Sequence, residues 1–267
     1  MIQKKKILGQ AILLSALLIF LVASQAGAGW VITMESSWKT GDELQEEEAT
    51  VYLEKGLGFK STTPDGDMMI MRIDTRETYI VDAGEQKYEV TSWDEMKEEM
   101  VGARAEMKQV LEQMEKEIAD APPEMREMLR QQMEQMQGMF GEAEEKQVRV
   151  ERTGKTQKIL GYKAEQYLLF EDDKQTEELW VGRSRKLRDL VEEWKDVTEP
   201  MFREMTEAMP GMASHGYMKV MKEIEGFPLL TVIVEEGARQ LTSQVVDIEK
   251  KRLKEKDFLP PAGYTER

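Results

Sequence analysis

Apolar and polar residues alternate in short runs over the first third of the chain. Val31-Ile32-Thr33-Met34, Thr50-Val51-Tyr52-Leu53, Gly58-Phe59-Lys60-Ser61, Thr78-Tyr79-Ile80-Val81 and Lys87-Tyr88-Glu89-Val90 each read as a strand. Met69, Met71 and Ile73 alternate with Ile70 and Arg72 in another. Thr63-Pro64-Asp65-Gly66-Asp67 and Asp82-Ala83-Gly84-Glu85 carry turn chemistry, because Pro presets φ and Gly accepts positive φ. Residues 30–91 therefore predict an antiparallel meander.

At Ser92 the period changes from two to between three and four. Ser92 and Glu95 are spaced for a capping box. Trp93, Met96, Met100, Ala103, Met107, Val110 and Met114 follow as one narrow apolar stripe, which predicts a helix. Ala121-Pro122-Pro123 ends it, and Met125, Leu129, Met133, Met136 and Phe140 place a second stripe on a second helix. The segment 93–140 thus reads as a helical hairpin inserted between strands. Alternation resumes at Val148 and Val150 and continues through Tyr167-Leu168-Leu169-Phe170, the Asp172-Asp173 turn and Glu178-Leu179-Trp180-Val181. A second helical insertion over 184–224 carries Leu187, Leu190, Val191 and Trp194 on one face. Pro200, which lacks an amide donor, is expected to kink or restart it; Met201, Phe202, Met205 and Met209 continue the face. Strands at Leu229 to Glu235 and Leu241 to Leu253 close the pattern, and Phe258 to Tyr264 reads as an extended cap. The fold class is α+β: an antiparallel sheet interrupted by amphipathic helices.

Composition changes this picture at the N-terminus. Lys4, Lys5 and Lys6 precede the mainly apolar run Ile7 to Val22, and Ala26-Gly27-Ala28 offers small residues for cleavage. The run is shorter than the roughly 20 apolar residues of a membrane span and is broken by Gly9, Gln10 and Ser15. Residues 1–28 read as a signal peptide, with an uncleaved anchor as the alternative, and 29–267 as a single exported or periplasmic domain. No Cys is available for lipid attachment, disulfides, thiolate metal sites or thiol catalysis. Removing 1–28 leaves 239 residues and takes away three positive charges and no negative ones, which moves the net charge from −15 to −18. Such a chain is long enough to rest on its own core. Its acidity argues against nucleic acid, which needs a cationic surface, and against electrostatic docking on anionic lipid; any membrane contact is peripheral or through an uncleaved signal.

Fifteen of the 20 Met residues lie in 93–139 and 201–221. Met is flexible and polarizable and suits surfaces that adapt to apolar partners. The candidate ligand-binding residues are Met100, Met107, Leu111, Met201, Phe202 and Met205. They would line or cover an apolar cavity for a lipid, an acyl chain or another hydrophobic small molecule, or for a lipidated or hydrophobic protein. Burial of the same stripes in the core is the plainer alternative. Met209, Met212, His215 and Met218, with Met221, form a run of soft and borderline ligands suited to a copper-type ion. Pro210, Gly211 and Gly216 break any common helical face there, so loop or core packing competes with a metal site. A third alternative is an interaction module docking through the hairpin. The 52 Asp and Glu residues make carboxylate pairs uninformative. His215 sits in no nucleophile-elbow context, and there is no P-loop or dinucleotide fingerprint. The reading is non-catalytic and without cofactor.

Four stretches carry a family resemblance: Ile70-Met71-Arg72-Ile73-Asp74 with Tyr79 and Tyr88; Ile159-Leu160-Gly161-Tyr162-Lys163-Ala164 leading to Leu179-Trp180-Val181; Gly226-Phe227-Pro228-Leu229; and Phe258-Leu259-Pro260-Pro261-Ala262-Gly263-Tyr264. Their order and spacing resemble an uncharacterised family of exported bacterial proteins, a domain of unknown function, whose fold is similar to the LolA/LppX class of periplasmic lipoprotein and lipid carriers. The resemblance implies one curved antiparallel sheet, an unclosed barrel, with helices plugging its concave side. It also implies an apolar cavity, no cofactor and no catalytic residue. The long Met-rich hairpin departs from that class, so the helices either line the cavity or fill it.

Overall fold

The computed structural model describes residues 28–40, 43–122, 125–130, 133, 147–208, 223–235 and 238–267; the side chains at 39, 40, 120, 205, 207, 208, 235 and 238–240 lie outside this description. The expected signal segment falls outside it except for Ala28. Strands β1 (Gly29–Thr40), β2 (Glu43–Glu54), β3 (Gly58–Thr62), β4 (Met68–Arg72), β5 (Glu77–Asp82) and β6 (Lys87–Ser92) form the first meander. Helix α1 (Trp93–Asp120) follows. β7 (Val148–Ile159), β8 (Tyr162–Glu171) and β9 (Lys174–Gly182) lead into α2 (Arg185–Ala208). β10 (Phe227–Glu235) and β11 (Ala238–Lys251) precede a short 3-10 helix (Glu255–Phe258) and β12 (Thr265–Glu266).

The described strands form one sheet in the order β12-β6-β5-β4-β3-β2-β1-β11-β10-β9-β8-β7. β1 joins the two halves by pairing antiparallel with both β2 and β11. Only β12 is parallel to its neighbour, β6. The two ends of the order do not pair with each other, so the sheet is unclosed. The fold is α+β, as the periodicity predicts. The tight turns explain the hairpins. Leu160 (φ 49°) and Gly161 (φ 78°) join β7 to β8, and Asp172 (φ 47°) and Asp173 (φ 65°) join β8 to β9. Paired positive-φ residues of this kind match the right-handed twist of the flanking strands.

The sheet buries both faces in its β1–β6 half. Register places Trp30, Leu53, Phe59 and Met71 side by side on one face. Trp30, Leu53 and Phe59 join Leu187, Leu190 and Val197 of α2 in the largest apolar core, and the Phe59 and Trp194 rings meet edge-on at 5.8 Å. Val31, Ile70 and Val81 point to the other face, where Leu253 and Phe258 cover them. The C-terminal segment is therefore a second core layer and not a plain extended cap. Phe258 is fully buried in its 3-10 turn, a burial worth roughly 1.5–3 kcal/mol. β11 also stops at Lys251, two residues before the expected end, and Leu253 turns inward.

α1 begins as the sequence predicts. The Glu95 amide donates to Ser92 Oγ at 3.2 Å, and the Ser92 amide donates to Glu95 Oε2 at 2.9 Å. Its inward stripe differs from the expected one. Ala103 and Val110 are exposed, and the half-buried positions are Met96, Lys97, Met100, Arg104, Met107, Leu111 and Met114, ending at buried Ile118. A strict 3.5-residue repeat drifts about 20° per heptad on a helix of 3.6 residues per turn; over 25 residues that drift moves the face from 110 to 111 and on to 118. The chain is helical again over 125–130. Arg126 Nε reaches back to the Ala121 carbonyl at 2.8 Å, a cation placed where α1 leaves its carbonyls unpaired. Met125 is 47% exposed, off the expected stripe, whereas Leu129 and Met133 are half-buried. Met136 and Phe140 lie outside the described residues.

α2 runs through Pro200 without a break. Val197 before it is fully buried and Met201 and Phe202 after it are half-buried, so packing continues across the one missing hydrogen bond. No helix among the described residues is long and apolar enough to cross a membrane.

Candidate ligand-binding face

α2 crosses the ends of the strands in sequence. At its start, Leu187 fills the space that a side chain on Gly182 of β9 would need: a Cβ there would lie 2.4 Å from Leu187 Cδ1. Further on, Glu193 accepts a hydrogen bond from Trp30 Nε1 of β1 at 2.8 Å, and Asp196 pairs with Lys55 at 2.7 Å. Trp194 then meets Phe59 of β3. At its far end Glu204 accepts two hydrogen bonds from Arg76, at 2.5 and 2.8 Å. Arg76 sits in the β4–β5 turn, with its guanidinium carbon 5.4 Å from the Trp93 ring centre and a 3.0 Å bond to Asp94 of α1. One arginine thus joins the end of the β4–β5 hairpin, the first turn of α1 and the last turns of α2. The hydrogen bonds to Glu204 and then Asp94 raise its pKa further above the physiological range.

This junction leaves part of an apolar sheet row uncovered. Register aligns Ile32, Val51, Ser61, Met69 and Ile80 across β1 to β5 on the face that α2 packs against. Ile32 and Val51 are 1% and 2% exposed; Met69 and Ile80 are 43% and 52% exposed. The row is continuous in chemistry apart from Ser61, but its cover ends before Met69 and Ile80. Alternation placed Met69 and Ile80 on strands and gave no sign of this, because coverage depends on where a helix more than a hundred residues later comes to rest.

The helical residues singled out in the sequence are partly brought together. Met100 of α1 and Met201 and Phe202 of α2 are half-buried, and the two helices pack against each other where Arg76 joins them. Met107 and Leu111 are also half-buried. They lie about 21 and 27 Å along α1 from Trp93, at 1.5 Å per residue, well away from the junction. Met205 belongs to α2, but its side chain is outside the described set, and Met209, Met212, His215, Met218 and Met221 lie wholly outside it. Among the described residues no group of three or more His, Cys, Asp or Glu side chains is arranged to hold a metal.

A cavity of about 380 Å³ lies at the far end of β1, β2 and β11. Glu35, Glu46, Glu47, Glu48, Ser36 and Gln244 are among its lining residues, so it is carboxylate-rich and unsuited to an apolar guest. Polar groups elsewhere are structural. Burial, and then a 2.7 Å hydrogen bond to Glu77, push the Tyr79 hydroxyl up to about 12. Tyr79 packs 6.0 Å from Tyr88 beneath the C-terminal segment. The resemblance motifs have the same character. Arg72 and Asp74 pair beside the 3-10 turn, Gly161 makes a hairpin, and Gly226 (φ 146°) passes so close to β9 that a Cβ would lie 2.5 Å from the Gly182 carbonyl oxygen. They fix backbone and packing and carry no reacting group.

The architecture defines an α+β protein with a large unclosed antiparallel sheet and few helices. The chain belongs to the family described as a domain of unknown function (DUF4412), which matches residues 94–264. Three of the four motif stretches fall inside that match; Ile70 to Asp74, with Tyr79 and Tyr88, precedes it. No curated protein matches the chain. Solved structures with similarity include PNGF-II, at 12% identity over 90% of this chain and 31% of that one, TM-score 0.37. MucB is similar at 11% identity over 93% of this chain and 62% of that one, TM-score 0.38. The LolA superfamily protein NE2245 from Nitrosomonas europaea is similar at 7% identity over 87% of this chain and 90% of that one, TM-score 0.32. The chain thus spans about a third of the length of the first and about three fifths of the second. Likenesses this distant leave function to be argued from the residues.

Proposed function

We propose that residues 29–267 act as one exported, non-catalytic binding domain for a hydrophobic ligand: a lipid, an acyl chain or a lipid-bearing partner. The observation that carries this is the exposed end of the apolar row, Met69 and Ile80, on the face that α2 packs against. Exposed apolar groups contiguous with a core and flanked by adaptable side chains suit an apolar guest. Met100, Met201 and Phe202 form an adaptable wall in this reading, Met107 and Leu111 extend it along α1 for a long chain, and Met205, whose side chain lies outside the described residues, stays a candidate on the same helix. The N-terminal segment that reads as an export signal supports a carrier that works outside the cytoplasm.

The test is binding of a fluorescent fatty-acid probe to wild type and to a Met69→Lys/Ile80→Lys variant. Both side chains are already near half exposure, so the variant is expected to fold. A drop in affinity of tenfold or more is expected, since desolvating a single ammonium in an apolar contact costs well over the roughly 1.4 kcal/mol that tenfold represents. Equal affinity in the two proteins would remove Met69 and Ile80 from the site.

A further inference from the structure

Gly29, the first residue of β1, is buried, and the residue before it, Ala28, is exposed. No side chain fits at Gly29. A Cβ there would lie 2.5 Å from the Leu53 carbonyl oxygen, 2.6 Å from Glu54 Oε2 and 2.8 Å from Leu253 Cδ1. Glu54 is 7% exposed, and its Oε2 has no hydrogen-bond partner. Burial first, then Glu193 of α2, push this carboxyl up to about 7 against the opposing pull of the Gly29 amide and of Lys250 on β11. Nearby cations make their direct contacts elsewhere. Lys55 pairs with Asp196 at 2.7 Å, Lys186 donates to the Ile248 carbonyl at 2.8 Å, and Lys250 sits 4.4 Å from the centre of the Trp30 ring. A buried carboxylate oxygen without a partner costs stability and asks for an explanation.

We propose that Glu54 is the receptor for a free α-ammonium on Gly29, formed when a signal peptidase of the export pathway hydrolyses the Ala28–Gly29 bond. The reaction consumes one water. The C–N bond breaks, hydroxyl adds to the Ala28 carbonyl carbon and a proton passes to the Gly29 nitrogen, leaving a carboxylate and an ammonium at neutral pH. The amide offers one donor; the ammonium offers three and a full positive charge. It supplies the hydrogen bond that Oε2 lacks and the charge that offsets Glu193. The small residues Ala26, Gly27 and Ala28 point to the same bond on separate grounds. Gly29 is required in this arrangement because any larger first residue would displace the carboxylate it is meant to meet. Processing then does more than release the chain: it completes the fold at the start of β1. This inference is independent of the ligand-binding reading.

The sign of the pH dependence distinguishes the two forms. With Gly29 still in amide linkage, the folded pKa of Glu54 lies above its ordinary 4.5. That contribution is fully present below about pH 4.5 and is lost as pH rises towards about 7. With a free ammonium, the α-amino pKa is raised above its usual value of about 8, and its contribution persists until pH rises through that higher value.

The experiment uses residues 29–267 with a free α-amine and the same chain acetylated at Gly29, each with Glu54 and with Glu54→Gln. At pH 7.5 the free-amine form is expected to melt about 2–4 °C higher than the acetylated form. The gap should close as pH falls through the carboxylate range and should vanish in Glu54→Gln. Equal melting of the two forms at pH 7.5, or an undiminished gap in Glu54→Gln, overturns the proposal. N-terminal sequencing of the exported protein should begin at Gly29, and any other first residue overturns the cleavage position.

Discussion

Asp74→Ala is expected to destabilise the fold by about 3–5 kcal/mol, and Arg72→Met by less than about 1.5 kcal/mol. The two residues form one pair, so the asymmetry is the informative part. Arg72 donates from Nε to Asp74 Oδ1 at 2.8 Å, from Nη2 to Asp74 Oδ2, and from Nη2 to Glu255 Oε1 at 3.3 Å. Its side chain is 4% exposed, against 33% for Asp74 and 69% for Glu255. Removing Asp74 leaves a buried guanidinium with one distant, hydrated partner. Removing Arg72 leaves two carboxylates that water already reaches, and Met fills the space. Arg72 holds the Asp74 carboxyl below its usual range. That part of the stability is therefore present above the ordinary Asp pKa of about 3.9 and is lost as pH falls through the lower folded value. Urea unfolding at pH 7 and pH 3 measures both effects, and Asp74→Ala should narrow the difference between the two pH values.

Trp30→Ala is expected to cost about 3–5 kcal/mol, in the range for truncating a large buried aromatic. Trp30 is fully buried on β1, where the two halves of the sheet meet, and packs in the core that α2 closes. Its Nε1 donates to Glu193, which also accepts from the Lys55 amide at 3.2 Å. Trp30→Phe keeps most of the ring and loses one hydrogen bond to an ionised acceptor, so a loss of about 1.5–3 kcal/mol is expected. The denaturation midpoint should fall in both variants while the slope against urea stays constant. A changed slope would mean that the unfolded ensemble had moved instead.

The elements set by local chemistry were legible in the sequence. Ser92 and Glu95 announced the start of α1, Asp172-Asp173 announced a hairpin, and two-residue alternation placed the strands. Features set by distant packing were not legible. Arg72 reads as an ordinary alternating position of a strand, and its burial follows only once Glu255 and Phe258 fold back over β4. The stripe of α1 was shifted by the drift between 3.5 and 3.6 residues per turn, which moved Val110 out and Leu111 in. Half of the candidate site was visible as Met and Phe on helices. The other half, Met69 and Ile80, is chemically the same as Met71 on the same face, which is buried, and as Ile70 on the opposite face, which the C-terminal segment covers; only distant packing separates the covered residues from the uncovered ones.

Native mass spectrometry of the exported protein, purified without detergent or organic solvent, tests the central claim most directly. A carrier is expected to show the apoprotein mass together with discrete adducts of lipid or acyl-chain mass. Those adducts should be lost on denaturation and absent from the Met69→Lys/Ile80→Lys variant. A protein that is reproducibly empty, and that takes up no added fatty acid or phospholipid, would contradict the account.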